Sequence, residues 1–168
     1  MRVYILLLSI NLSISLMSKA QDSSLDSSHQ FTVIHLPAYY NEKGVVFNKD
    51  YVVGIEMRNL QSRYTPTKDD IIKAEKIFNN KYNEIRKTNV DTKTFFCRWV
   101  RQYVGLIDNN GNKNIIVQLV DNTKPRIINR LFGKGWETSF VIYFADPYPG
   151  LGIPFRINID TGEMSDQL

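Results

Sequence analysis

The chain has one thiol and two imidazoles, and their spacing limits the nucleophilic chemistry open to it. A cysteine attacks as the thiolate, which needs a histidine or another cation within hydrogen-bond reach. Cys97 stands in the strand-like run 95–107, whereas His29 falls in a polar leader and His35 in the first apolar run. Nothing in the pattern brings them together, so Cys97 reads as a buried free cysteine. Two distant histidines without paired cysteines do not make a transition-metal site either.

Oxygen-based sites fare no better. Asp69-Asp70 and the run 108–112, DNNGN, offer oxygen ligands, and the second has the look of a calcium loop. It lacks the distal glutamate that completes such a site, and an Asn-Gly turn accounts for it without metal. Glycoside hydrolysis requires two facing carboxylates, and the order of the 17 acids places no two of them together. There is no phosphate loop. No cofactor, metal or catalytic residue is expected, and an enzyme is the less favoured class.

Binding chemistry is better represented. In 95–107, FFCRWVRQYVGLI, period-two alternation sets Phe95, Cys97, Trp99, Arg101 and Tyr103 on one face and Phe96, Arg98, Val100, Gln102 and Val104 on the other. Both faces carry large apolar residues and arginine, and only one of them can cover a helix. The other meets a partner, or else a second layer supplied by the first strand or by 125–132. Trp, Tyr and Arg are the side chains that anchor interfaces. Were Arg101 to face the helix it would be a buried cation, and the helical arc of Ile71, Ala74, Phe78, Tyr82 and Ile85 supplies no carboxylate for it. Trp99, Arg101 and Tyr103 are therefore expected to face outward as the core of a surface for a protein partner or a second copy.

The elements that must position these residues follow from periodicity. Over 65–87, TPTKDDIIKAEKIFNNKYNEIRK, the apolar arc just named opposes Lys73, Lys76, Asn80, Glu84 and Lys87, which predicts one long amphipathic helix. Thr67 is its N-cap, Asp69 and Asp70 suit the positive end of its dipole, and it ends near 87–90. Strands are predicted at 31–36, at 45–57 with the firmer part at 51–58, at 95–107, at 114–120, at 136–145 and at 153–160. The turn 108–113 makes 95–107 and 114–120 a hairpin. Residues 125–132 read equally as a helical turn or an edge strand. In 153–160, Ile153, Phe155, Ile157 and Ile159 point one way and Pro154, Arg156, Asn158 and Asp160 the other, so one face packs and the other is wet. One or two strands, a helix and a four-strand meander predict an α+β domain, with the helix on one face of a curved antiparallel sheet of four to five strands.

Residues 1–20 carry Arg2, an apolar stretch and a Ser18-Lys19-Ala20 end, the pattern of a signal peptide cleaved before Gln21. The stretch is shorter than the roughly 18 apolar residues a membrane span needs, so no anchor is expected to remain after cleavage. Export to the periplasm or the medium follows. Residues 21–30 read as a flexible leader and 31–168 as a single domain. Loss of Arg2 and Lys19 leaves 19 basic residues against 17 acidic, a charge of +2, too small to imply a nucleic-acid partner. One cysteine allows no internal disulfide, so packing alone holds an exported fold together.

Three stretches together, RYTPTKDDIIKAEKIF at 63–78, RQYVGLIDNNGNKNIIVQLV at 101–120 and FRINIDTGEM at 155–164, resemble small exported proteins of unknown function from the Bacteroidota. The resemblance covers about 51–164 and implies a cystatin-like fold, a long helix cradled by a curved antiparallel sheet. It implies no activity. A cystatin-type protease inhibitor would carry Gln-x-Val-x-Gly in its first hairpin turn; here Gln102-Tyr103-Val104-Gly105 lacks one residue of that spacing and lies inside a strand, and there is no Pro-Trp pair. The expected function is a binding module, with a small-ligand carrier or an enzyme using a cavity between helix and sheet as the alternative.

Overall fold

The computed structural model describes residues 30–36, 43–54, 60–140 and 152–167. The expected signal peptide and nearly all of the leader lie outside these residues. In chain order the elements are β1 (Phe31–His35), β2 (Lys43–Phe47), β3 (Leu60–Tyr64), α1 (Lys68–Arg86), α2 (Thr92–Phe95), β4 (Trp99–Asp108), β5 (Lys113–Asp121), α3 (Pro125–Phe132), a 3-10 turn (Trp136–Thr138), β6 (Gly152–Asn158) and β7 (Met164–Ser165). The strands form one seven-stranded sheet, more than the four to five expected, and α1 lies across one of its faces.

The helix begins where the sequence marks it. Thr67 Oγ1 accepts from the Asp70 N–H at 3.2 Å while Asp70 Oδ2 accepts from the Thr67 N–H at 3.0 Å, a reciprocal box that satisfies two first-turn donors. At the other end Lys87 adopts a left-handed conformation, φ 52°, and its N–H closes back on the Asn83 and Glu84 carbonyls. Nineteen residues make a rod roughly 30 Å long. Ile71, Ala74, Phe78 and Tyr82 are buried, and Ile72, off the arc, is exposed.

Strands β4, β5, β6 and β7 form the expected antiparallel meander, with Arg101 opposite Leu119 and Val117 opposite Phe155. The Asn-Gly hairpin is present, with Gly111 at φ 83°. The free edge of β4 is divided between two partners. Its first half pairs with β2 in parallel, Gly44 to Phe47 against Arg101 to Val104, and its second half pairs antiparallel with β3, which ends at Tyr64 opposite Gly105. The wholly antiparallel sheet is thereby corrected: β1 and β2 form an antiparallel pair that docks on β4 in the other sense. Arg63 seals the junction, donating from Nε to the Gly105 carbonyl and from its two other nitrogens to the Tyr51 and Asn48 carbonyls, at 3.0 to 3.1 Å. At Gly105 a Cβ would fall 2.5 Å from the Tyr64 carbonyl oxygen, so only glycine admits so close a crossing.

Three predicted strands start or stop elsewhere. The pattern favours a strand at 51–58, but β2 ends at Phe47 because Asn48 Oδ1 accepts from the N–H groups of Asp50 and Tyr51 and turns the chain. Residues 51–54 are not strand, and 55–59 lie outside the described residues. Residues 95–98 are helical and turn-like because Asp91 caps α2, accepting from Lys93 N and Thr94 Oγ1, so β4 begins only at Trp99. Trp136–Thr138 is a 3-10 turn in place of a strand start, and 141–145 lie outside the described residues. The segment 125–132, left open between two forms, is α3.

Both sheet faces are covered. Against α1 pack Trp99, Tyr103, Ile115, Val117, Leu119, Phe155 and Ile157, with a ring cluster in which Phe78 lies 5.3 Å from Phe155 and 5.5 Å from Phe96. On the other face α3 and the 3-10 turn lay Ile128 and Trp136 on Val100 and Val120, while Tyr51, Val53 and Phe140 cover Phe47, Val104 and Ile116. Packing on both faces removes apolar area from water at about 25 cal/mol per Å², which suits a fold without disulfides.

Candidate functional site

Trp99, Arg101 and Tyr103 do share one sheet face, and it is the face against α1. Trp99 is 8 %, Arg101 1 % and Tyr103 0 % exposed, so the outward surface expected of them is corrected. The reason is a residue missing from the predicted arc. Glu75 reaches from α1 to the sheet and is itself 0 % exposed; Arg101 Nε lies 3.0 Å from its Oε1, and Tyr103 Oη donates to the same oxygen at 2.6 Å. A buried cation with a carboxylate and a phenol beside it is tolerable where an isolated one is not. Burial pushes the Glu75 carboxyl above its ordinary range, and the Arg101 charge and the Tyr103 hydrogen bond pull it only partly back. The opposite face of β4 is the one that α3 and the 3-10 turn cover, with Gln102 Nε2 donating to the Glu137 and Ser139 carbonyls at 3.0 and 2.8 Å.

Polar groups, several of them buried, converge instead at the hairpin end of the sheet. There a groove of about 740 Å³ opens between the β4–β5 turn, the end of β6 and the turn into β7, with Lys81 of α1 at its rim. Its floor is a hydrogen-bonded row across three strands. Asp108 Oδ1 accepts from the N–H groups of Asn110 and Asn112, both at 2.9 Å, and its Oδ2 accepts from Asn114 Nδ2 at 3.1 Å. Asn114 Oδ1 in turn accepts from Arg156 Nε at 3.2 Å. On β6, Asn158 Oδ1 takes the N–H groups of Asp160 and Thr161, fixing the turn that carries Glu163.

Partial burial pushes the Asp108 carboxyl up, but the Asn112 and Asn110 N–H groups and the Asn114 and Asn112 amides outweigh it and hold the group below the usual carboxylate range. Both of its oxygens are committed to nitrogen donors. Among the described residues there is no group of three or more His, Cys, Asp or Glu that could hold a metal ion. The groove sets Lys81 and Arg156 against Asp108 and Glu163, so its charges balance, and asparagines supply both donors and acceptors between them.

Of the groove residues, the sequence marks only Asp108, Asn109 and Asn110, and those as oxygen ligands of a loop that a turn explains. Two signals were present: Arg156 and Asn158 fall on the wet side of the alternation in 153–160, and 108–112 was read as a turn. What was not visible is that the strand order β4–β5–β6 sets them side by side. Compared with protein-family models, with curated proteins and with solved structures, the chain matches none. Among the described residues no helix is long and apolar enough to cross a membrane.

Proposed function

We propose that this is an exported binding module of cystatin-like architecture that takes a polar stretch of a protein partner into the groove at the hairpin end of its sheet. The observation that carries the reading is the Asp108, Asn114 and Arg156 row, whose side chains are held in place by one another before any ligand arrives. Preorganised polar groups bind without first losing rotamer freedom. The exposed Asn109 and Asn110 amides beside this row match the donor and acceptor pair of a peptide bond, and the balanced charges suit a segment carrying both signs. The α1 rod on the β4–β5–β6 meander supports the cystatin-like architecture, and the order of motifs resembling exported Bacteroidota proteins supports the setting. The alternative of a ligand cavity between helix and sheet finds less support, since rings of Phe78, Tyr82, Phe96 and Phe155 pack together there.

A photo-crosslinking side chain placed at Asn109, on the exposed rim, tests the reading against one at Lys76, on the outer side of α1. Expected is a discrete crosslinked polypeptide from the native envelope or medium with the first and not the second. The same products from both positions, or none from Asn109, would sink it.

A further inference from the structure

Helix α3 and its flanks carry the chain's excess charge. From Asn122 to Trp136 there are four cations, Lys124, Arg126, Arg130 and Lys134, and no Asp or Glu. The whole chain has 21 Lys and Arg against 17 Asp and Glu, and 19 against 17 without Arg2 and Lys19, so outside this segment the mature chain holds 15 cations against 17 anions. All four are exposed, and among the described residues no acid pairs with them.

The helix that presents them is amphipathic in three bands. At 100° per residue Ile128 and Phe132 form the stripe that packs on Val100, Val120 and Trp136. Arg126 and Arg130 lie on the far side. Between the two bands fall Ile127 and Leu131, both only half-buried. An apolar strip bordered by arginines, on a helix lying flat against its domain, is the pattern of an interfacial contact. A nucleic acid would use the charges but would leave the Ile127 and Leu131 strip without a role.

We propose that α3 docks the protein reversibly on an anionic lipid surface, with Lys124, Arg126, Arg130 and Lys134 among the headgroup phosphates and Ile127 and Leu131 at the edge of the acyl region. The α3 end of the β4–β5 hairpin, at Val100 opposite Val120, is six residues along the strands from Leu106 opposite Asn114 at the groove end. That separation is roughly 20 Å. Asp108, Asn114 and Arg156 alternate onto the same sheet face as Val100 and Val120, so a protein docked in this way keeps its groove on the side of the docked helix and displaced from it along the strands.

The test is sedimentation of the purified protein with vesicles of phosphatidylcholine alone or with about a third phosphatidylglycerol, at about 0.1 M salt. Each cation near such a surface contributes roughly fivefold in partitioning, so anionic vesicles should bind at least about 100-fold better than neutral ones. Binding should fade toward about 1 M salt, where screening acts over about 3 Å. The double variant Arg126→Gln, Arg130→Gln should lose on the order of 25-fold with an unchanged denaturant midpoint. Ile127→Ser should weaken vesicle binding and leave binding to a soluble DNA oligonucleotide as it was. Equal binding to both vesicle types, or wild-type binding by the double variant, would overturn the proposal. So would an Ile127→Ser protein that binds vesicles normally while the oligonucleotide binds more tightly than lipid, which would make α3 a polyanion surface.

Discussion

Arg101 Nε lies 3.0 Å from Glu75 Oε1, and both side chains are shut off from water between helix and sheet. This pair sets the orientation of the most decorated strand in the molecule. It turns Trp99, Arg101 and Tyr103 inward and leaves the opposite face of β4 to α3. A buried pair contributes little beyond what apolar residues of the same size would, but its halves depend on each other. Glu75→Gln should cost about 3 to 5 kcal/mol, because Arg101 loses the carboxylate that faces it. The double change Glu75→Leu, Arg101→Met should recover most of that loss. Urea titrations of wild type, Glu75→Leu, Arg101→Met and the double variant check it, and additive losses would mean the two side chains act separately.

Arg63 joins three carbonyls where β2 and β3 meet on the edge of β4. Its planar fork holds all three at once, which a lysine ammonium on a flexible stem does not reproduce. Arg63→Ala is expected to cost about 3 kcal/mol, and Arg63→Lys to restore less than half of it. Amide exchange at Tyr64 and Val104 should quicken in both variants. Unchanged exchange there would place the stabilising role of Arg63 elsewhere.

The Asp108 carboxyl is held below its ordinary value by the amides of the β4–β5 turn. A depressed folded value means that the stabilisation is complete above the unfolded value and lost as pH falls through the folded one. The turn and the groove floor should therefore loosen only in acid, below the range where free aspartates titrate. Carboxyl chemical shifts followed against pH report this directly. Asp108→Asn should remove that acid limb from the stability curve, and a curve of the same shape would contradict the assignment.

Phe78 is 0 % exposed among Tyr82, Phe96 and Phe155, whereas Lys76 is exposed on the outer side of α1. Phe78→Ala should cost about 3 to 5 kcal/mol through the cavity it opens. Lys76→Ala should stay within about 0.5 kcal/mol of wild type. Comparable losses in a denaturant titration would mean the buried face of α1 is misplaced.

Local pattern alone was enough for α1, for its Thr67 cap, for the Asn-Gly hairpin and for the inward side of β6. Each depends on neighbours within a few residues, where periodicity and capping act. Glu75 shows how the same pattern can be read too narrowly. It stands four residues after Ile71 and seven before Tyr82, just past the Tyr82 edge of the apolar arc by angle, where a charged side chain reads as the start of the wet face. Alternation in 95–107 grouped Trp99, Arg101 and Tyr103 correctly on one face, but period two is symmetric and carries no sign for inside or outside. That sign comes from a carboxylate 26 positions earlier and from the docking of α3, which lies beyond the next strand.

The divided edge of β4, shared by a parallel β2 and an antiparallel β3, was out of reach for a related reason. A strand's apolar pattern records which face is buried and not which strand it pairs with, and Arg63 joins carbonyls that are 12 to 42 positions away in the chain. The groove is the product of that strand order, since Asp108, Asn114 and Arg156 become neighbours only when β4, β5 and β6 lie side by side. What the amino-acid sequence determined by itself is where α1 starts and stops, where the β4–β5 hairpin turns, which residues share a face and how the charge is distributed along them. Which faces meet, and so which side chains are core and which are left to bind, was decided by the tertiary structure, because burial and strand pairing act between residues that the chain holds far apart.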